Sequence, residues 1–309
     1  MNLKLLSLGV ASAALLSACA TSTPVNEPAP VSVATPPPVV ETVEEEAKTG
    51  LSNIQVVEAS GGYSAWLVSE PAIPIVSINM AWSGGETSDP EGLTGSTVLM
   101  TYMMNEGAGE LDSNAYATRM EELNMSFGCT SGDDWTSCSM STLSENFEEA
   151  MDMVRMGLTE TRFDAAPFER SIEETLIALQ RAETNPGTLA RRALYETIYP
   201  EGHPYARYAT PDTVQAVTVD DLRTQRDNIM VQDTLLITAV GDISEERLLA
   251  AMESTFSGLP ESGTTAVVGD VVLREAPSEP VVRDLPQPQS LVAFTCLLYT
   301  SDAADELRS

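Results

Sequence analysis

EGLTGSTVLMTYMMNEGAG, residues Glu91–Gly109, runs between two glycine-punctuated turns, and from Leu93 to Asn105 its only ionisable side chain is a tyrosine. The run of Val, Leu and Met between small hydroxyl residues leaves no charged face for solvent, so the spacing predicts a short, largely buried helix over 95–104. Upstream, residues 53–60 (NIQVVEAS), 63–70 (YSAWLVSE) and 73–85 (IPIVSINMAWSGG) read as three strands. In the third, Val76, Ile78, Met80 and Trp82 alternate with Ser77, Asn79, Ala81 and Ser83, a period of two that buries one face.

Downstream a helix is expected from Ser113 to Leu123, then two short β-like runs, MSFGCTSGDDWTSCSMS, folding as a hairpin about Gly132-Asp133-Asp134. Cys129 and Cys138 fall on opposite arms; bridged and free thiols both stay open, because register decides whether the sulfurs meet. A helix near Ser144 carries Phe147, Ala150, Met151, Val154 and Leu158 on one face. Asp164 and Pro167 open the next, whose expected apolar face is Phe168, Ile172, Leu176 and Leu179. After Asn185-Pro186 a helix carries Leu189 to Ile198, and residues 199–212 (YPEGHPYARYATPD) read as loop. Thr218 with Asp221 predicts a capping box. DTLLITAVGD, 233–242, reads as a buried strand, and Ser244 caps a helix with Leu248, Leu249, Met252 and Phe256, ended at Gly258. Strands first, helices in the middle and a returning strand give an α+β domain, 51–260, with a mixed or antiparallel sheet packed by helices.

The ends read differently. Residues 1–19, MNLKLLSLGVASAALLSAC, have a lysine, an apolar run too short to span a bilayer, and small residues before a cysteine. Leu16-Ser17-Ala18-Cys19 resembles a bacterial lipobox, which implies lipidation at Cys19; Ala20 after it implies the periplasmic face of a Gram-negative outer membrane. Residues 20–50 are a Pro-rich spacer. Residues 261–278 read as an inter-domain linker and 279–295 as the first strands of a second domain. Cys296–Glu306 resembles a translated sequencing adapter, so 296–309 is set apart as a non-native tail with the natural chain continuing past Thr295.

The chain's 309 residues carry a formal net charge of −30 with 43% hydrophobic residues. That balance allows a real core and argues against nucleic acid as a partner, since phosphate neutralisation needs a basic surface.

The phrases AIPIVSINMAWSGGETSDPEGLTG, MNEGAGELDS, TRFDAAPFERS, HPYARYATPDTVQAVTVDDLR and VGDIS, in this order, resemble peptidase family M16, the family of pitrilysin, insulinase and the mitochondrial processing peptidase. Active members carry H-x-x-E-H on the helix after the DPEG turn, two imidazoles one turn apart gripping zinc and a glutamate acting on the metal-bound water. Laid on that pattern, the first histidine falls on Val98, the glutamate on Thr101 and the second histidine on Tyr102; the third ligand falls on Ile177 or Ala178, within the apolar face of the Phe168 helix. None of these is a zinc ligand. The resemblance therefore implies a degenerate subunit with no cofactor of its own. It would support binding of unfolded peptides and their cleavage by a zinc-bearing M16 partner. The competing readings are a binding or assembly protein without a peptidase role and an active zinc endopeptidase. His203 lies in a loop phrase shared across the family and is not expected to ligate metal. The carboxylate pairs Glu121-Glu122, Glu148-Glu149, Glu173-Glu174 and Glu245-Glu246 are read as solvated helix edges, because adjacent side chains on a helix diverge.

Overall fold

The computed structural model describes residues 53–295 except 266, 267, 270, 276, 278 and 286–289. The leader with Cys19, the spacer to residue 50 and the tail from 296 lie outside the described residues. Among the described residues eight strands form: β1 (Gln55–Glu58), β2 (Ser64–Ser69), β3 (Ile75–Ser83), β4 (Gly107–Ala108), β5 (Leu111–Asp112), β6 (Ser126–Ser131), β7 (Trp135–Leu143) and β8 (Leu236–Gly241). The helices are α1 (Ser96–Met103), α2 (Ser113–Glu122), α3 (Phe147–Thr159), α4 (Ala165–Ala182), α5 (Pro186–Ile198), α6 (Pro211–Ala216), α7 (Val219–Ile229) and α8 (Glu245–Phe256).

The main sheet has six strands in the order β1-β2-β8-β3-β7-β6, while β4 and β5 make a separate two-stranded ribbon. β8 returns from the helical half of the chain to pair parallel with β2 and antiparallel with β3. β6 pairs only with β7 and so forms one edge of the sheet. The period-two pattern of β3 is realised: Val76, Ile78, Met80 and Trp82 are buried. Together with Leu67, Ile237, Ala239, Met140 and Phe127 they form the sheet's contribution to the core. Phe147, Val154, Leu158, Leu248 and Phe256 close that core from α3 and α8.

Four expectations need correction. β8 is not buried on both faces; Ile237, Ala239 and Gly241 point inward while Leu236 and Val240 stay exposed, the alternation required of a strand with helices on one side only. The segment read as loop to Asp212 contains the start of α6, because Thr210 caps it and Pro211 sits in its first turn. On α4 the most buried positions are Pro167, Ser171 and Thr175, flanked by partly buried Phe168, Ile172, Leu176 and Leu179. Ile177 and Ala178 are both exposed and do not join the buried stripe: Ile177 lies about 100° round the helix from its neighbour Leu176, while Ala178 shares the side of Ser171 and Thr175 but stands further along α4. Finally, the described residues of 279–295 form no strand. Just before them the chain runs along α5, where the Arg274 N–H donates to the Ile198 carbonyl at 2.8 Å.

Candidate functional site

α1 is the helix on which the sequence pattern centres its chemistry, and its N-terminus is held from a distance. Gly95, its N-cap, has φ of 105°, a left-handed conformation that glycine adopts without steric cost, and it offers no side chain to cap the helix. Asp89 takes that role. Its carboxylate accepts from Gly95 N at 2.6 Å, Thr97 N at 2.9 Å, Thr97 Oγ1 at 2.6 Å and Ser96 Oγ at 2.9 Å. The group is only 3% exposed, and Gln225 from α7 donates to Thr97 Oγ1 at 3.0 Å. A carboxylate here meets both the unpaired first-turn N–H groups and the positive end of the helix dipole. Nearby, burial, with Asp89 and Asp133 adding to it, raises the pKa of Glu86 above the usual carboxylate range.

The other end of α1 is tied to neighbouring elements. Asn105 Nδ2 donates to the Phe127 carbonyl of β6 at 3.0 Å. The Glu106 carboxylate accepts from Ser113 Oγ at 2.5 Å and pairs with Arg170 of α4 at 2.6 Å. Between α1, β6 and α4 opens a cavity of about 240 Å³, its walls including Thr101, Tyr102, Asn105, Cys129, Arg170 and Glu174.

The zinc pattern does not fit what lines this space. Val98 is half-buried hydrocarbon, and Thr101, 2% exposed, spends its hydroxyl on the Val98 carbonyl at 2.8 Å. Tyr102 is 46% exposed and lines the cavity. Ile177 and Ala178 are exposed on α4 beyond the cavity, whose α4 wall is Pro167, Arg170, Ser171 and Glu174. Among the described residues no three His, Cys, Asp or Glu side chains converge on a point that could hold a metal ion. His203 stacks on Tyr199 at 4.7 Å and its Nδ1 accepts from Tyr205 N.

Cys129 and Cys138 stand directly opposite in the β6–β7 ladder and are joined as a disulfide, with Cα atoms 4.0 Å apart. Sequence reading missed Asn105, Glu106 and Arg170. The phrases containing them were visible, but nothing local signals that a residue just past α1 reaches a strand and another a distant helix. Glu174 was read as part of a solvated pair; both members are exposed, yet Glu174 also lines the cavity while Glu173 does not.

Family models match in two adjoining stretches: insulinase (peptidase family M16) over residues 65–211, and the peptidase M16 inactive domain over residues 216–307. The chain belongs to peptidase family M16. The two M16 matches meet inside one folded domain, because β8, in the second match, lies between β2 and β3 of the first. The M16 relatives include the non-peptidase homolog YmxG of Helicobacter pylori, 23% identical over 191 residues, which are 61% of this chain and 44% of that protein. An uncharacterized zinc protease of Rickettsia felis is 20% identical over 215 residues, 68% of this chain and 51% of that protein. The chain thus spans about half the length of the curated relatives it matches. Among solved structures, the peptidase M16 inactive domain from Pseudomonas fluorescens superposes with a TM-score of 0.66 at 24% identity, covering 71% of this chain and 54% of that one. Pitrilysin superposes with a TM-score of 0.63 at 19% identity, covering 76% of this chain and 26% of its own. These likenesses establish the M16 fold. The M16 domain described here is degenerate: the donor set that zinc hydrolysis needs is missing from its residues.

Proposed function

We propose that this chain is a non-catalytic M16 subunit that holds extended peptides for a zinc-bearing M16 partner. The observation that carries the reading is the juxtaposition of an open sheet edge with a cavity whose motif positions hold no metal donors. β6 has a partner on one side only, and the Phe127 carbonyl, taken by Asn105, points to its free side. Peptide groups two residues apart on a strand point the same way, so those of Cys129 and Ser131 face that side as well. An unpaired strand edge is a template for adding an extended peptide, with pockets beside it accepting alternate side chains. The cavity between α1 and α4 is such a pocket.

The same reading includes a lipid anchor at Cys19 and residence at the periplasmic face of the outer membrane, supported by the lipobox-like leader. Affinity capture of the full-length protein from its native membrane tests the pairing. A co-purifying chain bearing H-x-x-E-H is the expected result. Recovery of only non-peptidase partners would replace this reading with the assembly role.

A further inference from the structure

We propose that the Cys129–Cys138 disulfide is a positioning element for peptide capture: it fixes the β6 edge, and a dithiol that opens it switches docking off. The proposal rests on the peptide-holding reading above and adds its regulation.

The side chains on β6 give the strand little other purchase on β7. On the outer face the opposed pairs are Ser126–Ser141, Gly128–Ser139 and Thr130–Ser137. Of these, the Thr130 and Ser137 hydroxyls are hydrogen-bonded at 3.3 Å, an exposed neutral contact, and the face holds no aromatic or charged pair. On the inner face Phe127 opposes Met140, and the next pair toward the hairpin tip is the disulfide. Gly128, between Phe127 and Cys129, adds backbone freedom and no packing. The covalent link therefore sits where the edge is otherwise least restrained, and on the residue whose peptide group faces the docking side.

The two sulfurs differ in access. Cys129 is 8% exposed and lines the cavity, whereas Cys138 is 1% exposed and does not. The incoming thiolate of a dithiol attacks the Cys129 sulfur from the cavity, and Cys138 leaves as a thiolate that takes up a proton. The second thiol of the reagent, losing its proton, then attacks its own mixed-disulfide sulfur and displaces Cys129. Two electrons pass from the dithiol, which ends as a disulfide, to the protein, which ends with two thiols. A bound peptide covers the same cavity, so docking and reduction oppose each other.

The test uses the 309-residue chain, oxidised, reduced with dithiothreitol, and reoxidised after removal of the reagent. Binding of a fluorescein-labelled, cysteine-free extended decapeptide is followed by anisotropy, and amide hydrogen exchange is measured in parallel. Reduction is expected to weaken peptide affinity about tenfold, within the usual range of two-site coupling. It should speed exchange at Gly128 and Thr130 while β3 and β8 stay protected, and reoxidation should restore both. The C129S/C138S variant should bind like the reduced chain and ignore dithiothreitol. Unchanged exchange in β6 on reduction overturns the proposal, as does faster exchange with unchanged affinity. No binding by the oxidised chain instead overturns the peptide-holding reading on which the proposal stands.

Discussion

Removing the buried Asp89 carboxylate should cost more than removing any solvent-exposed contact around α1. In D89A the Gly95 and Thr97 N–H groups lose an acceptor at 2.6 and 2.9 Å, and both lie in buried residues. A buried donor left unpaired costs about 1–3 kcal/mol, so two cost about 2–6 kcal/mol. The lost charge at the helix N-terminus adds about 0.3–1 kcal/mol. Hydroxyl rotation at Ser96 and Thr97 and the relief of a buried charge work the other way, which sets the expectation at about 4 kcal/mol. D89N keeps the volume and one oxygen but turns an NH2 toward one N–H group, so about 2 kcal/mol is expected. For a domain of this size about 4 kcal/mol lowers Tm by about 8–16 °C, a large part of a typical 5–15 kcal/mol total. Urea titration followed by far-ultraviolet circular dichroism reads the change in midpoint. A loss below about 1 kcal/mol for D89A, at unchanged m, would refute the assignment of Asp89 as the remote cap.

Other perturbations probe separate parts of the same frame. Tyr116 is buried and donates to the Met153 carbonyl at 2.6 Å, and burial raises its pKa well above the ordinary phenol value. Y116F should cost about 0.5–1.5 kcal/mol in thermal or urea unfolding, through the lost hydrogen bond to a carbonyl that keeps its place in the α3 ladder. Gly241 has φ of 134°, and an added Cβ would lie 2.0 Å from the Ile75 carbonyl oxygen. G241A should therefore destabilise by about 3 kcal/mol or more, or fail to accumulate as folded protein. The Glu86 pKa is raised above 4.5 by burial, so its share of stability is present below that value and lost as pH rises through the folded pKa. E86Q should thus gain on wild type in Tm as pH rises above 4.5; a constant difference would count against burial as the cause. Chains saturated with zinc and desalted should retain no stoichiometric metal by elemental analysis, and one chelator-removable zinc per chain would overturn the motif assignment.

Much of this architecture was legible because its signals are local. The alternation in β3, the glycines bracketing α1, the Thr218–Asp221 capping box and the helical stripe on α3 all depend on residues within one or two turns of each other. What escaped depends on distance. Asp89 caps α1 from six to eight residues upstream, and Gln225 reaches it from α7, beyond any capping rule read from sequence. β8 read as buried because its outward residues, Leu236 and Val240, are as apolar as its inward ones. Only the sheet order shows which face the helices cover. The third-ligand pattern falls on Ile177 and Ala178, which are exposed, one turn past the part of α4 that lines the cavity.

The loss of metal donors without loss of the helix has a physical explanation in how α1 is fastened. Its N-terminus is satisfied by Asp89, which Gln225 braces by donating to Thr97 Oγ1, and its C-terminal end is tied to β6 by Asn105 and to Ser113 and Arg170 by Glu106. Leu99, Met100 and Met103 bury its core side. Val98, Thr101 and Tyr102 take no part in those fastenings, apart from a hydroxyl returning to the helix's own backbone. Zinc would hold side chains on a helix already held by other means, so replacing its ligands removes chemistry and leaves the scaffold standing. The same separation leaves the β6 edge and its cavity intact for the peptide holding proposed above. A variant that unfastens α1, such as D89A, should therefore disturb that cavity more than any exchange at Val98 or Tyr102. Peptide anisotropy on the two sets of variants compares them, and equal losses would contradict the separation.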